Sequence, residues 1–210
     1  MTSLLAWHGC RADGTTRHLK IKEVVGVKTF LAGDVELCKN ALHGSLRAVD
    51  MLRFSEGLWI KRTLHEGKIL LAADKIGSSE RTVVAEADAT QVVVDWAFWC
   101  ADRAVRVHAV AALRQAGMGA KAEKLAGLEA ITDQKSADTA SDALNTATFT
   151  AAFTAYTAHA AASAAHAAVH AAAVYAAAAA ANEADEMEFL NAELERRLLA
   201  LMGLTSEVTQ

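Results

Sequence analysis

LWIKRTLHEGKILLAADKIGSSERTVVAE, residues 58–86, is the stretch on which the fold class turns. Leu58–His65 and Lys68–Ala73 are rich in branched and long apolar residues on either side of Glu66-Gly67. That arrangement predicts two strands joined as a hairpin. Thr82–Glu86 predicts a further strand. Toward the N-terminus, Ser3–His8 reads as a short strand ending at Gly9, and Arg11–Thr16 as a polar turn around Asp13-Gly14. Ile21–Phe30 is mixed, with Val24, Val25 and Val27 favouring strand, and Gly33-Asp34 marks another turn. Ser45 is placed to cap a helix over Leu46–Phe54 that stops near Gly57. Residues 1–88 are therefore expected to form a small α+β domain with an antiparallel sheet.

The texture changes after Asp88, and residues 89–210 are expected to be mainly helical. Thr90–Gln115 keeps helical spacing through Val93, Trp96, Ala97, Cys100, Ala104, Val107 and Ala111, with Gly117 and Gly119 as its stop. Ala120–Ile131 predicts a second, short helix, and Lys135–Asp142 a linker or the start of the next helix. Ser141–Asn182 is dominated by alanine and has no charged residue between Asp142 and Glu183. Alanine loses no side-chain entropy in a helix, so one long helix is expected, spanning roughly 60 Å at about 1.5 Å per residue. Its larger side chains, Phe149, Phe153, Tyr156, His159, His166 and His170, recur in steps of three and four and mark one face as an interface. Small residues around them let a partner backbone approach closely, either Thr90–Gln115 or a second copy. His166 and His170 have the i,i+4 spacing of a zinc pair, but that face carries no Cys, Asp or Glu to complete a site, so no metal is expected. The stretch has too little Leu, Ile and Phe to favour a membrane span. Thr-Ala runs with an eleven-residue spacing, as in ice-binding helices, dissolve into plain alanine. Glu183–Met202 is amphipathic, with a stripe of Met187, Leu190, Leu194, Leu198 and Leu201. The long helix either continues into it or breaks near Asn182.

The 210 residues carry a net charge of −4. Residues 1–87 hold thirteen Lys/Arg against ten Asp/Glu, and residues 88–210 eight against fifteen, a split too mild to make nucleic acid the expected partner. Proline is absent, as suits a largely helical chain. Cys10, Cys38 and Cys100 form no CxxC pair and no even framework, which points to reduced thiols inside a cell. The opening MTSLLAWHGCRADG lacks the basic and apolar regions of a signal peptide, so a cytoplasmic location is expected.

The densest polar cluster runs from Cys38 to Val83. Cys38, Leu42-His43-Gly44-Ser45, the helix to Phe54, Gly57, Gly67, Asp74-Lys75 and Arg81-Thr82-Val83 follow one another in an order that resembles an uncharacterised family of phage and bacterial proteins of unknown function. Ala6-Trp7-His8-Gly9 is similar to that family's start. Ala41 stands where the family usually has Gly, Gly44 where it usually has Ala, and the alanine-rich tail has Thr, His and Phe in place of periodic Trp or Arg. The resemblance implies phage origin. A strand ending in His-Gly, a Ser step into a helix and a following strand also look like the layout of ADP-ribosyltransferase-type domains. That likeness implies His8 on the nicotinamide ribose, the Ser45 helix beside an NAD pocket, and Glu80 or Glu86 as the catalytic acid. Plainer roles exist for the same residues: His8 at a strand end, His43 and Ser45 at a helix cap, Asp74, Lys75 and Arg81 as solvated hairpin-end charges.

No GxSxG, P-loop, GxGxxG or HExxH motif is present. Cys38 and His43 fall in one local turn without a third group to orient them. Trp96 and Trp99, three apart on one helix, suit a core or an interface. The expected function is non-catalytic binding by a self-associating, phage-encoded accessory protein in the host cytoplasm, with a host protein or a nucleotide-like molecule as target and no cofactor. Lys, Arg, Ser and His suit a phosphate or carboxylate, which makes His8, His43, Ser45, Lys75 and Arg81 the candidate ligand-binding residues. The rival readings are an NAD-using transferase and a structural virion or assembly component.

Overall fold

The computed structural model describes residues 3–17, 20–115, 117–146 and 184–205. The described chain forms two compact units, one from Met1–Val92 with Asn191–Gln210 and one from Val93–Leu190. The first is an antiparallel sheet with helices, and the described part of the second is helical; together they make the α+β class read from the sequence. Phe149, Phe153, Tyr156, His159, His166 and His170 lie outside the described residues, as does the expected break near Asn182.

Five strands build the first unit: β1 (Leu4–Cys10), β2 (Lys28–Phe30), β3 (Leu42–Gly44), β4 (Trp59–Leu71) and β5 (Ile76–Asp88). Their order is β1-β4-β5-β2, with β3 also on β5, and every named pair is antiparallel. The hairpin expected at Glu66-Gly67 is elsewhere. β4 runs straight through those residues for thirteen residues, and the chain reverses at Ala72–Lys75, where the Ala72 N–H donates to the Lys75 carbonyl at 2.9 Å. Glu66-Gly67 is a bulge: register shifts between Glu66 and Ile69, and Gly67 takes φ +73°, in the left-handed region. A glycine at that angle re-aims a strand without ending it. Val24, Val25 and Val27 add only one isolated bridge, Val25 to Val83, and their side chains are exposed.

Trp7 and Ser45 exchange both backbone hydrogen bonds at 2.8 Å. The pairings therefore close into a ring, β1-β4-β5-β3 and back to β1, a small barrel. Ser45 thus makes a bridge to Trp7 just past the end of β3 and is not a helix cap. The short helix α1 (Ala48–Leu52) starts from Arg47 with no side-chain cap of its own. Its first amides are met from the far end of the chain, on α6 (Ala184–Leu201). There Glu195 Oε1 accepts from the Ala48 N–H at 3.1 Å, and Asn191 Oδ1 from the Val49 N–H at 3.2 Å. Glu195 Oε1 also accepts from Trp7 Nε1 at 3.1 Å. Leu194 and Leu198 of α6 are fully buried, whereas Leu201, the last residue of the predicted stripe, is exposed.

In the second unit, α2 (Thr90–Arg103) passes through a π-helical segment (Ala104–Ala109) into α3 (Val110–Gln115). Gly117 stops it as the sequence suggests, the Met118 N–H closing on the Leu113 carbonyl at 2.9 Å. α4 spans Gly119–Ala126 and α5 Gln134–Thr146, so Lys135–Asp142 belongs to a helix. Phe98, Val105, Leu113, Leu125 and Ile131 form the core of this unit. Trp96 is buried with its Nε1 donating to the Leu190 carbonyl at 3.2 Å, and the Trp99 ring stands 5.7 Å from that of Phe189. Both tryptophans serve packing. No described helix is long and apolar enough to cross a membrane.

Candidate ligand-binding site

The barrel interior is unusually polar. Lys61, Thr63 and His65 alternate along β4 and face Glu86, Val83 and Arg81 of β5 in register. Glu23, reaching in from the 20–28 loop, is fully buried. Its Oε1 accepts from Arg81 Nε at 2.9 Å and Nη2 at 2.7 Å, and its Oε2 lies 3.7 Å from Lys61 Nζ. Lys61 also faces Glu86 at 3.5 Å. Two cations are thus matched by two carboxylates, as a buried cluster requires. Arg81 Nη1 donates to the His43 carbonyl, tying this cluster to β3.

His65 sits beside it with Nδ1 2.8 Å from Ser78 Oγ and Nε2 3.1 Å from Thr63 Oγ1. Ser78 Oγ donates onward to the Glu80 carbonyl at 2.7 Å, so its oxygen is free to accept from His65 Nδ1–H. Thr63 then divides its one proton between His65 Nε2 and the Ala6 carbonyl, both at 3.1 Å. Burial, with the Arg81 charge adding to it, lowers the His65 pKa to about 3, so the ring is neutral. A Cβ on Gly44 would meet His65 Nε2 at 2.8 Å and Ala6 Cβ at 2.9 Å, so β3 closes on β1 only because residue 44 has no side chain.

Against this ring lies a cavity of about 160 Å³. Trp7, Met51 and Phe54 give it apolar wall, His8, His43 and Ser45 give hydrogen-bonding groups, and Arg17, Cys38 and Lys75 complete it. His8, His43, Ser45 and Lys75 are therefore brought together from β1, β3 and the β4–β5 turn. Arg81 is not among the lining residues: it is buried and committed to Glu23 and His43. His8 Nε2 is buried with no hydrogen-bond partner among the described residues. Burial, then the charges of Arg81 and Lys61, hold the His8 pKa well below the usual imidazole value, so this ring too is neutral. His43 Nε2 accepts from the Cys38 N–H at 3.0 Å.

At the mouth, Lys75 Nζ lies 4.8 Å from the centroid of Phe54 and 3.5 Å from Cys38 Sγ, and makes no ion pair among the described residues. Arg17 pairs with Glu56 at 2.9 Å, and Glu56 also holds Arg11 at 2.7 Å. None of the described lining residues is acidic. Glu80 pairs with Lys28 at 3.1 Å and Glu86 with Lys61, so neither acid expected of a transferase reaches the cavity. Among the described residues no cluster of His, Cys, Asp and Glu could hold a metal.

Sequence reasoning missed Arg17, Trp7, Met51 and Phe54 as walls, and it set Cys38 aside. It also missed Glu23, Lys61 and His65. A signal for two of these was present: Lys61, Thr63 and His65 fall at every second position, which in a strand puts them on one face, although Arg62, Glu66 and Lys68 nearby hide the pattern. No protein-family model, no curated protein and no solved structure matches this chain.

Proposed function

We propose that this chain is a non-catalytic binding protein whose barrel cavity receives the charged or ring-bearing end of a small anionic ligand, such as a nucleotide. The observation that carries the reading is the convergence of His8, His43, Ser45 and Lys75 on one cavity that has apolar walls and, among the described residues, no acidic lining residue. A void of about 150 Å³ holds one benzene-sized ring. The cavity of about 160 Å³ therefore admits a single ring or a phosphate, with the remainder of the ligand lying across Lys75 and Arg17. Catalysis at an oxocarbenium-like centre needs a nearby carboxylate, and Glu80 and Glu86 are engaged elsewhere.

Calorimetric titration with adenosine monophosphate against adenosine tests this. The monophosphate is expected to bind more tightly, and Lys75→Ala to weaken it by about tenfold, the order of one hydrogen bond to a charged group. Equal binding of the two compounds, or binding of neither, overturns the reading. The setting in the cytoplasm of a phage-infected host, with interference in a host factor, rests on the sequence resemblance alone. Self-association rests on the Phe149, Phe153, Tyr156, His159, His166 and His170 face. Sedimentation equilibrium is expected to show an oligomer that Phe153→Ser dissociates, and a monomeric parent chain rejects that part.

A further inference from the structure

Three thiols are present, and they differ in access. Cys10 and Cys100 are buried, while Cys38 is exposed. Burial pushes the Cys10 thiol up to about 11, where it stays protonated. Cys38 stands at the cavity mouth in a left-handed backbone conformation, φ +66°, that a residue with a Cβ rarely adopts. Its N–H is pinned to His43 Nε2 at 3.0 Å, and Lys75 Nζ faces its sulfur at 3.5 Å while resting over the Phe54 ring. Two observations independent of the sulfur point to a ligand at this place. One is the cavity behind it, and the other is His8 Nε2, buried and unpartnered on a residue of the cavity wall.

We propose that Cys38 is a covalent modification site, where the cavity takes an anionic low-molecular-weight disulfide and exchanges it onto the thiol. This rests on the reading of the cavity as an anion site. The Cys38 thiol gives its proton to solvent, and its sulfur attacks the nearer sulfur of the disulfide. The new bond joins Sγ to that sulfur, the original S–S bond breaks, and the departing half leaves as a thiolate that solvent protonates. Cys38 is oxidised to a mixed disulfide and the reagent is reduced to one thiol, so the balance closes. Lys75 places a cation beside the sulfur that carries negative charge during exchange, and with Arg17 it favours a carboxylate-bearing reagent over a cationic one.

The full chain is incubated with glutathione disulfide or with cystamine, and adducts are followed by intact and peptide mass spectrometry. One glutathionyl group is expected, on Cys38, forming about tenfold faster than the cystamine adduct, a ratio of the size that neighbouring cations give at a surface. Lys75→Met should bring the two rates toward parity, and added salt should do the same for the parent chain. Equal rates in the parent chain, a first adduct on Cys10 or Cys100, or the same preference in the urea-unfolded chain overturns the proposal. The reduced parent chain, titrated with adenosine monophosphate, separates the two failures. If it binds the nucleotide yet shows no glutathione preference, the modification site alone falls. If nucleotide binding is also missing, the anion-site reading falls with it.

Discussion

Glu23 lies in the run KIKEVVGVK (20–28), whose composition suggests an exposed edge, yet its carboxylate is fully buried between Arg81 and Lys61. Removing that charge leaves Arg81 without its only carboxylate among the described residues and takes one of two from Lys61. Glu23→Gln should therefore cost about 3–5 kcal/mol in urea denaturation. The pair Glu23→Leu with Arg81→Met should cost far less than the sum of its members. His65 gives a second test. Its unfolded pKa is near 6.5 and its folded pKa about 3, so between these values the unfolded chain binds a proton that the fold refuses. The stability this group contributes is present in full above pH 6.5 and declines as pH falls toward 3. His8, lowered in the same direction, adds to the decline. His65→Gln, which keeps a polar group toward Thr63, should flatten the slope of unfolding free energy against pH in this window by up to one proton. An unchanged slope would place the acid sensitivity elsewhere. At this scale the sequence showed which residues bear chemistry but not which are consumed by the interior. Arg81 and Lys75 look alike as hairpin-end cations, and only the arrival of Glu23 separates the buried one from the open one.

Helices and strands were legible where one local rule governed them. The α+β class, the end of α3 at Gly117, and the amphipathic α6 follow from periodicity and stop signals. The hairpin did not, because a glycine between two apolar runs marks a bulge as readily as a turn. At Gly67 the answer depends on a partner twelve residues away: a Cβ there would meet Ser79 Oγ at 2.2 Å, and Ser79 Oγ accepts from the Lys68 N–H at 2.9 Å. Gly67→Ala should cost about 1–3 kcal/mol, the range for backbone strain at such a position. The start of α1 was misread for a related reason. Ser45 has the composition of a cap, but its backbone is taken by Trp7, and the capping groups sit on α6 more than 140 positions later. Asn191→Ala and Glu195→Ala should each lower stability by about 1 kcal/mol, the usual loss for an N-cap, with Glu195 the costlier because it also holds Trp7 Nε1. Denaturation of the two variants checks the ranking, and equal losses would reject the double role of Glu195.

At the scale of the chain, the barrel unit is assembled from both ends of the sequence, Met1–Val92 and Asn191–Gln210. The first of these supplies the ring of strands, the polar cluster and the whole cavity lining. It lacks the acceptors for the first two α1 amides and for the Trp7 indole, which among the described residues α6 provides. It also lacks Leu194 and Leu198, both fully buried, each worth on the order of 2 kcal/mol when removed from water. Since small domains hold only about 5–15 kcal/mol in total, a fragment of residues 1–92 should unfold at a much lower urea concentration than the full chain, or fail to fold. A peptide of residues 184–205 added in trans should raise that midpoint in a concentration-dependent way, by mass action on the folded form. The same peptide carrying Glu195→Ala should need a higher concentration for the same rescue. A fragment 1–92 as stable as the parent would show that the strand ring sustains the cavity unaided, and the contribution assigned to α6 would then be wrong.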